Sequence, residues 1–275
     1  MSLNEKVSPQ LAVLIATVVL AAWTFYVVRS HVPSPAKTST TRVKPRPAPV
    51  TPGANQAPPS DQAIYDRFHT LWYGNAEKTW KRNTWFGIPT RQNPMDVWVH
   101  QEILTELKPD FVLDIGTFHG GTALIWAMIL EHVHPSGKVI TVDIEDHTAA
   151  AKKWPLWEKR IQFLHGSSTD PKIVDQIRKQ VAGKKVLAIL DSNHSMKHVL
   201  DELKVYAPMI PVGSYVIVQD SNSGGNPVQH GFKGPMAALQ AFLKGNDEFI
   251  SDKERERLIF TFCPSGYLKR VKPAK

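Results

Sequence analysis

The residues best suited to chemistry stand at the ends of short apolar runs. Leu190-Asp191-Ser192-Asn193-His194 closes one run, and Val218-Gln219-Asp220-Ser221-Asn222 closes another. If both runs are strands of one parallel sheet, Asp191, Gln219 and Asp220 share an edge. There they offer oxygen ligands to one hard cation such as Mg²⁺. Such an ion lowers the pKa of a bound hydroxyl, and His194, three residues beyond Asp191, is spaced to take the released proton as a general base. Singly, each residue has a plainer explanation, because an Asp at a strand end often only caps the next helix. The conjunction points to chemistry.

A second constellation precedes it. Asp114-Ile115-Gly116-Thr117-Phe118-His119-Gly120-Gly121-Thr122 links an apolar run to an apolar helical stretch. Its glycines allow a sharp turn and close approach of a ligand. Asp143 ends the next apolar run, where a carboxylate can accept hydrogen bonds from a ribose diol. Charge then separates two cofactor classes. A dinucleotide would set its anionic pyrophosphate over this turn, beside Asp114, and the G-x-G-x-x-G spacing is absent. S-adenosylmethionine instead brings an ammonium and a sulfonium, which suit Asp114. Ser167 and Ser168, within His165-Gly166-Ser167-Ser168-Thr169, supply small polar groups at the height where the adenine lies.

These residues need a sheet to hold them. Strands are predicted at Phe111–Ile115, Val139–Asp143, Ile161–Leu164, Val186–Asp191, Tyr215–Asp220, Leu258–Phe262 and Tyr267–Val271. Helices are predicted at Gly121–His132, Pro171–Val181 and Pro235–Lys244. Continuously apolar strands alternating with helices imply an α/β fold whose parallel sheet is covered on both faces. Cys263-Pro264-Ser265-Gly266 is expected to join the last two strands as a hairpin. Upstream, Ala63–Trp80 and Met95–Leu107 are predicted cap helices, and Trp72, Tyr73, Trp80, Trp85 and Phe86 are candidates for a substrate lid.

The N-terminal part differs in kind. Residues 11–28 (LAVLIATVVLAAWTFYVV), after a tail at 1–10, hold no charge, Gly or Pro. As a helix they rise about 27 Å, close to the hydrocarbon thickness of a bilayer. A single transmembrane helix is expected rather than a cleaved signal peptide. The start is nearly neutral, and Trp23, Phe25 and Tyr26 crowd the far end as interfacial aromatics do. Arg29, Lys37, Arg42, Lys44 and Arg46 follow the span and only Lys6 precedes it, so the C-terminal domain is expected on the cytoplasmic side. The only glycosylation sequon, Asn193-His194-Ser195, lies in the proposed catalytic loop, which also argues against a lumenal domain. Residues 29–60, with eight prolines among residues 32–60, cannot bury a core and are expected to form an extended tether. The folded domain is expected over 61–275. Of the net charge of +8, five positive charges lie in the tether, so the domain lacks the basic face that nucleic acid requires. The single cysteine, Cys263, excludes an intrachain disulfide and a multi-cysteine metal site.

With these motifs in order, residues 70–271 resemble the rhamnosyl O-methyltransferase and cephalosporin hydroxylase family. The cues are Trp85-Phe86-Gly87, Asn93-Pro94-Met95-Asp96, the Asp114–Thr122 turn, Gly166-Ser167-Ser168, Leu190-Asp191-Ser192-Asn193-His194, Tyr206-Ala207-Pro208 and Thr261-Phe262-Cys263-Pro264-Ser265-Gly266. The resemblance implies a Rossmann-like seven-stranded methyltransferase sheet, mostly parallel with an antiparallel last strand. It also implies S-adenosylmethionine, usually Mg²⁺, and a small-molecule, glycan or glycolipid acceptor methylated on oxygen. Asp114, Gly116, Phe118, Gly120, Thr122, Asp143, Ser167 and Ser168 then fall at cofactor positions. Asp191, Gln219 and Asp220 fall at metal positions, and Asp191 and His194 at catalytic ones. Gln219 departs from the macrolide-sugar enzymes of similar spacing, which carry an acid there. A hydroxylase-like oxidative enzyme and a non-catalytic membrane-bound scaffold are the alternatives.

Overall fold

The apolar runs FVLDI, KVITVD, IQFLH, VLAIL and YVIV form β3 (Phe111–Ile115), β4 (Lys138–Asp143), β5 (Ile161–His165), β6 (Val186–Leu190) and β7 (Tyr215–Val218). β3, β6 and β7 are buried along almost their whole length, because helices cover both faces of the sheet. A computed structural model describes residues 59–223 and 233–273. The predicted span at 11–28 and nearly all of the tether lie outside the described residues. Among the described residues, no helix is long and apolar enough to cross a membrane.

The seven-stranded sheet has the order β5-β4-β3-β6-β7-β9-β8, with β8 at Phe249–Ser251 and β9 at Tyr267–Arg270. Only β9 runs against the others, pairing antiparallel with both β7 and β8. The order reverses between β3 and β6, and ligands collect in the crevice beyond the carboxyl ends of strands at such a point. Register sharpens this placement. Ile115 is level with Val142 and Leu190, and Leu190 with Val218. The residues that follow are therefore delivered side by side: Gly116, Asp143, Asp191 and Gln219. Main-chain bonds continue past the strands, from Gly116 N to Val142 O, Asp191 N to Ile115 O and Gln219 N to Leu190 O.

One face of the sheet packs on α2 (Pro94–Leu107), α3 (Gly121–Val133) and α4 (Pro155–Arg160), through residues such as Ile103, Leu124, Trp126 and Trp157. The other face packs on α5 (Pro171–Val181), α6 (Met196–Tyr206) and α7 (Pro235–Lys244), through Ile177, Leu203 and Leu239. Truncating a fully buried member such as Ile103 to Ala costs about 2–5 kcal/mol.

Two sequence expectations are corrected. Leu258–Phe262 is not a strand, and the outer partner of β9 is β8, Phe249–Ser251. The buried Asp96 carboxylate captures the segment instead, accepting from Thr261 Oγ1 (2.5 Å), Phe262 N (2.8 Å), Tyr267 Oη (2.9 Å) and Asn93 Nδ2 (2.9 Å). Ile259, at φ 69°, breaks the extended path. The helix expected to reach Trp80 ends earlier, as α1 (Asp61–Gly74), where the side chain and backbone N–H of Asn75 both bond Leu71 O. Trp80 then sits on a separate turn, Trp80–Arg82. A small hairpin follows, with β1 at Thr84–Trp85 and β2 at Ile88–Pro89, turning through Phe86 and Gly87 at positive φ.

Candidate active site

A cavity of about 780 Å³ opens beyond the carboxyl ends of β3, β4, β6 and β7. This is within the usual range for small-molecule sites, about 300–1,000 Å³. Its two halves touch at Gly116. A Cβ there would lie 2.2 Å from Asp191 O, so only glycine lets the turn after β3 rest on the loop after β6. A second close approach binds the wall to the sheet: a Cβ on Gly121 would lie 2.5 Å from Thr90 Cγ2 and 2.7 Å from Pro89 O. Gly121 thus admits the segment after β2, which supplies Thr90, Arg91, Gln92 and Asn93 to the cavity.

All the predicted site residues line this cavity except Asp114 and Gly120. Asp114 lies on the same face of β3 as Val112, towards α3. There it accepts from Trp126 Nε1 (2.9 Å) and Thr141 Oγ1 (2.8 Å). Burial pushes its carboxyl up to about 7 against those two hydrogen bonds, and the charges of Asp191 and Asp143 add to the rise. Contact between Asp114 and a cofactor ammonium is therefore corrected: the carboxylate is spent inside the fold. Gly120 starts α3 beneath the turn, against Trp157.

Asp143 accepts from Phe118 N (2.8 Å) on one oxygen and from Glu145 N (3.1 Å) on the other. Each oxygen keeps lone-pair capacity for a diol. The same bond holds Phe118 at φ 50° over the cavity. Ser167 and Ser168 line the far wall, where Ser168 Oγ bonds Glu202 Oε1 (2.6 Å) and His198 Nε2 (3.1 Å). His198 Nε2 also pairs with Glu202 Oε1 (3.1 Å).

At the other end, Asp191, His194 and Asp220 bring one ligand atom each to within 4.8 Å of one another. His194 Nε2 is 3.3 Å from Asp191 Oδ1 and its Nδ1 is 3.6 Å from Asp220 Oδ2. Burial lowers the affinity of His194 for a proton, but the Asp191 hydrogen bond and the two carboxylate charges outweigh it and lift the imidazole to about 9. Burial raises Asp220 to about 6, the positive His194 opposing and Asp191 adding. Asp220 is also held at φ 49°, a strained conformation of the kind that clusters at functional sites. Two carboxylates from adjacent strand ends fit a hard divalent cation.

Gln219 does not join that group. Its Oε1 accepts from Cys263 Sγ (3.1 Å) and its Nε2 donates to Gln92 Oε1 (3.1 Å), while Gln92 Nε2 donates to Asp191 Oδ2 (2.7 Å). The expectation that Gln219 supplies a third metal oxygen is corrected, since the amide fixes Gln92 and Gln92 fixes Asp191. Sequence reasoning missed Gln92, which lies 99 positions from its partner. It also missed the role of α1, which brings the Tyr73 hydroxyl to Asp220 and to Asn222 Oδ1 (3.5 Å) and seats buried His69 on Asn222 Nδ2 (2.8 Å). Of the lid candidates, Trp72, Tyr73 and Trp80 line the cavity. Trp85 instead donates to Met128 Sδ (3.1 Å), and Phe86 is exposed on the hairpin.

Residues 77–271 match the family described as rhamnosyl O-methyltransferase/CmcI. The rhamnosyl O-methyltransferase of Mycobacterium tuberculosis (strain ATCC 25618 / H37Rv) is 40% identical over 220 residues, covering 77% of this chain and 86% of the relative. That of Mycobacterium leprae (strain TN) is 39% identical over 222 residues, covering 77% and 92%. Two solved structures of CmcI share the fold. The form with Mg and SAM has a TM-score of 0.55 at 17% identity, over 70% of this chain and 78% of that one. The apo form has a TM-score of 0.54 at 19% identity, over 70% and 77%. Because the match spans the strands, both ends of the cavity and the cap segment that feeds it, the chain belongs to the rhamnosyl O-methyltransferase/CmcI family.

Proposed function

We propose that this S-adenosylmethionine-dependent O-methyltransferase methylates a hydroxyl of a sugar or glycolipid, with the transfer carried out between Phe118 and the Asp191–His194–Asp220 cluster. The observation that carries the reading is that this cluster and the Gly116–Phe118 turn line one cavity and meet through Gly116. Asp143 receives the ribose diol, and Ser167 and Ser168 border the adenine. The acceptor oxygen attacks the methyl carbon, the carbon–sulfur bond breaks with its electron pair left on sulfur, and the hydroxyl proton passes to the neutral form of His194. Asp191, held by Gln92, and Asp220, held by Tyr73, orient that imidazole. Trp72, Tyr73 and Trp80 flank the acceptor side and restrict water.

Asp191 and Asp220 would hold a divalent cation, Mg²⁺ by the donor chemistry. Bound there, it would polarise the acceptor hydroxyl and cancel the negative field that keeps His194 protonated. The name of the relatives supports a rhamnosyl hydroxyl as acceptor. The apolar stretch at 11–28 and the basic residues after it support a single-pass anchor with the domain on the cytoplasmic side, which would favour a lipid-linked acceptor through local concentration. The test is to incubate the purified full chain with methyl-labelled S-adenosylmethionine and a rhamnosylated lipid, with Mg²⁺ or with chelator. Label in an alkali-stable ether on the sugar is expected, reduced by the chelator. Bound S-adenosylhomocysteine with no transfer to any sugar acceptor would refute the acceptor class, and transfer indifferent to chelator would refute the metal.

A further inference from the structure

The cavity contains a cation that the reaction above leaves without a task. Of the positively charged side chains lining it, His194 is committed to Asp191 and Asp220 and His198 to Glu202. Arg91 lines the same cavity and, among the described residues, makes no ion pair. Its guanidinium carbon lies 4.1 Å from the Phe118 ring centroid and 5.5 Å from that of Trp80. Stacking on the rings occupies the faces of the guanidinium and leaves its N–H edge for a ligand, in a fork that matches a carboxylate.

This placement is enforced by the fold. Arg91 sits at φ 55°, a conformation that a residue with a Cβ adopts at a cost. The residues around it hold it there. Thr90 N donates to Asn83 O (3.0 Å), Asn83 Nδ2 donates to Gln92 O (2.7 Å), Gln92 Nε2 donates to Asp191, and Asn93 Nδ2 donates to Phe260 O (2.7 Å). Phe118 beneath it is also at positive φ, fixed through Asp143. Two strained residues from separate loops are thus pinned face to face over the cavity.

We propose that Arg91 is the carboxylate receptor of the cavity and binds the methionyl carboxylate of the cofactor. The assignment rests on the cofactor reading given above. With the ribose at Asp143 and the reacting methyl group directed at His194, the sulfur lies above the Gly116–Phe118 turn. The methionyl tail then leaves across Phe118, under the guanidinium. The other charged walls of the cavity are acids such as Asp143, Asp191 and Asp220, or histidines already paired with acids, so none offers a free cation to a carboxylate.

The test compares S-adenosylhomocysteine with its decarboxylated counterpart, titrated by calorimetry into the full-length wild type, Arg91→Gly and Arg91→Lys. Glycine suits the left-handed φ, so Arg91→Gly is expected to melt no lower than the wild type. It should nevertheless bind S-adenosylhomocysteine at least tenfold more weakly, while the decarboxylated ligand changes less than twofold. Arg91→Lys should fall between. Equal losses for both ligands, or no loss for S-adenosylhomocysteine, overturn the proposal. Unchanged cofactor binding with a raised KM for an anionic acceptor would also overturn it and give the guanidinium to the acceptor. Failure of the wild type to bind either ligand would instead refute the cofactor reading itself.

Discussion

Asp114→Asn should make the protein more stable, and increasingly so as pH rises. Burial lifts Asp114 to about 7 in the folded chain, so between the unfolded carboxyl value and pH 7 the native state holds a proton that the unfolded state has lost. The wild type therefore loses stability from this group as pH rises from about 4 to about 7, and the loss is constant above that. Three pKa units correspond to about 4 kcal/mol in total, of which about 2–3 kcal/mol falls between pH 5 and pH 8. An Asn can keep both contacts. Its oxygen accepts from Trp126 Nε1, its amide donates to Thr141 Oγ1, and Thr141 turns its own proton to Thr117 Oγ1, 2.6 Å away. The assay is urea unfolding of the full-length wild type and variant at pH 5 and pH 8, comparing the difference between the two proteins so that other titrating groups cancel. A stability gap that widens in favour of Asp114→Asn at pH 8 is expected. A gap that is constant with pH, or that narrows, would refute the argument that Asp114 is a buried structural acid.

Asp191→Ala should abolish methyl transfer while S-adenosylhomocysteine binds within a few-fold of wild type, because Asp191 touches His194 and Gln92 at the acceptor end; calorimetry beside a turnover assay separates the two. Gly116→Ala should cost about 3 kcal/mol or more, combining a positive-φ penalty with a Cβ 2.2 Å from Asp191 O, and should lower the melting temperature and cofactor affinity together. Asp96→Ala strands the donors of Thr261, Phe262, Tyr267 and Asn93, so a loss of at least about 3 kcal/mol is expected in denaturant unfolding. Gln92→Ala frees one oxygen of Asp191 and should reduce kcat about tenfold with KM for the cofactor little changed; a loss confined to KM would contradict its placement on Asp191.

The sheet edge was legible in the sequence because a parallel sheet covered on both faces demands continuously apolar strands, and the polar residue ending each run marks its carboxyl end. Asp143, Asp191 and Asp220 follow from that rule. The side on which a strand residue points was not legible, because Val112 and Leu113 are both apolar and buried; only the packed helices show that Asp114 shares the face of Val112, towards α3 and away from the cavity. Leu258–Phe262 has the composition of a strand, and only Asp96, more than 160 positions away, determines that its backbone bonds elsewhere. Gln92, Tyr73 and His69 were hidden for the same reason. Their partners lie 99 to 153 positions along the chain and are met only once the cap segments fold over the sheet. Local pattern fixes an element and its carboxyl end, whereas its face in a doubly covered sheet, and a contact between a cap and an edge, depend on packing.

The most direct test of the account is mass spectrometry of a rhamnosylated acceptor after incubation with the full chain and trideuteromethyl S-adenosylmethionine. One trideuteromethyl ether on the sugar is expected, formed by the wild type and lost in His194→Ala, which should still bind S-adenosylhomocysteine. An equal yield from His194→Ala, or a trideuteromethyl group on nitrogen or carbon instead of oxygen, would contradict it.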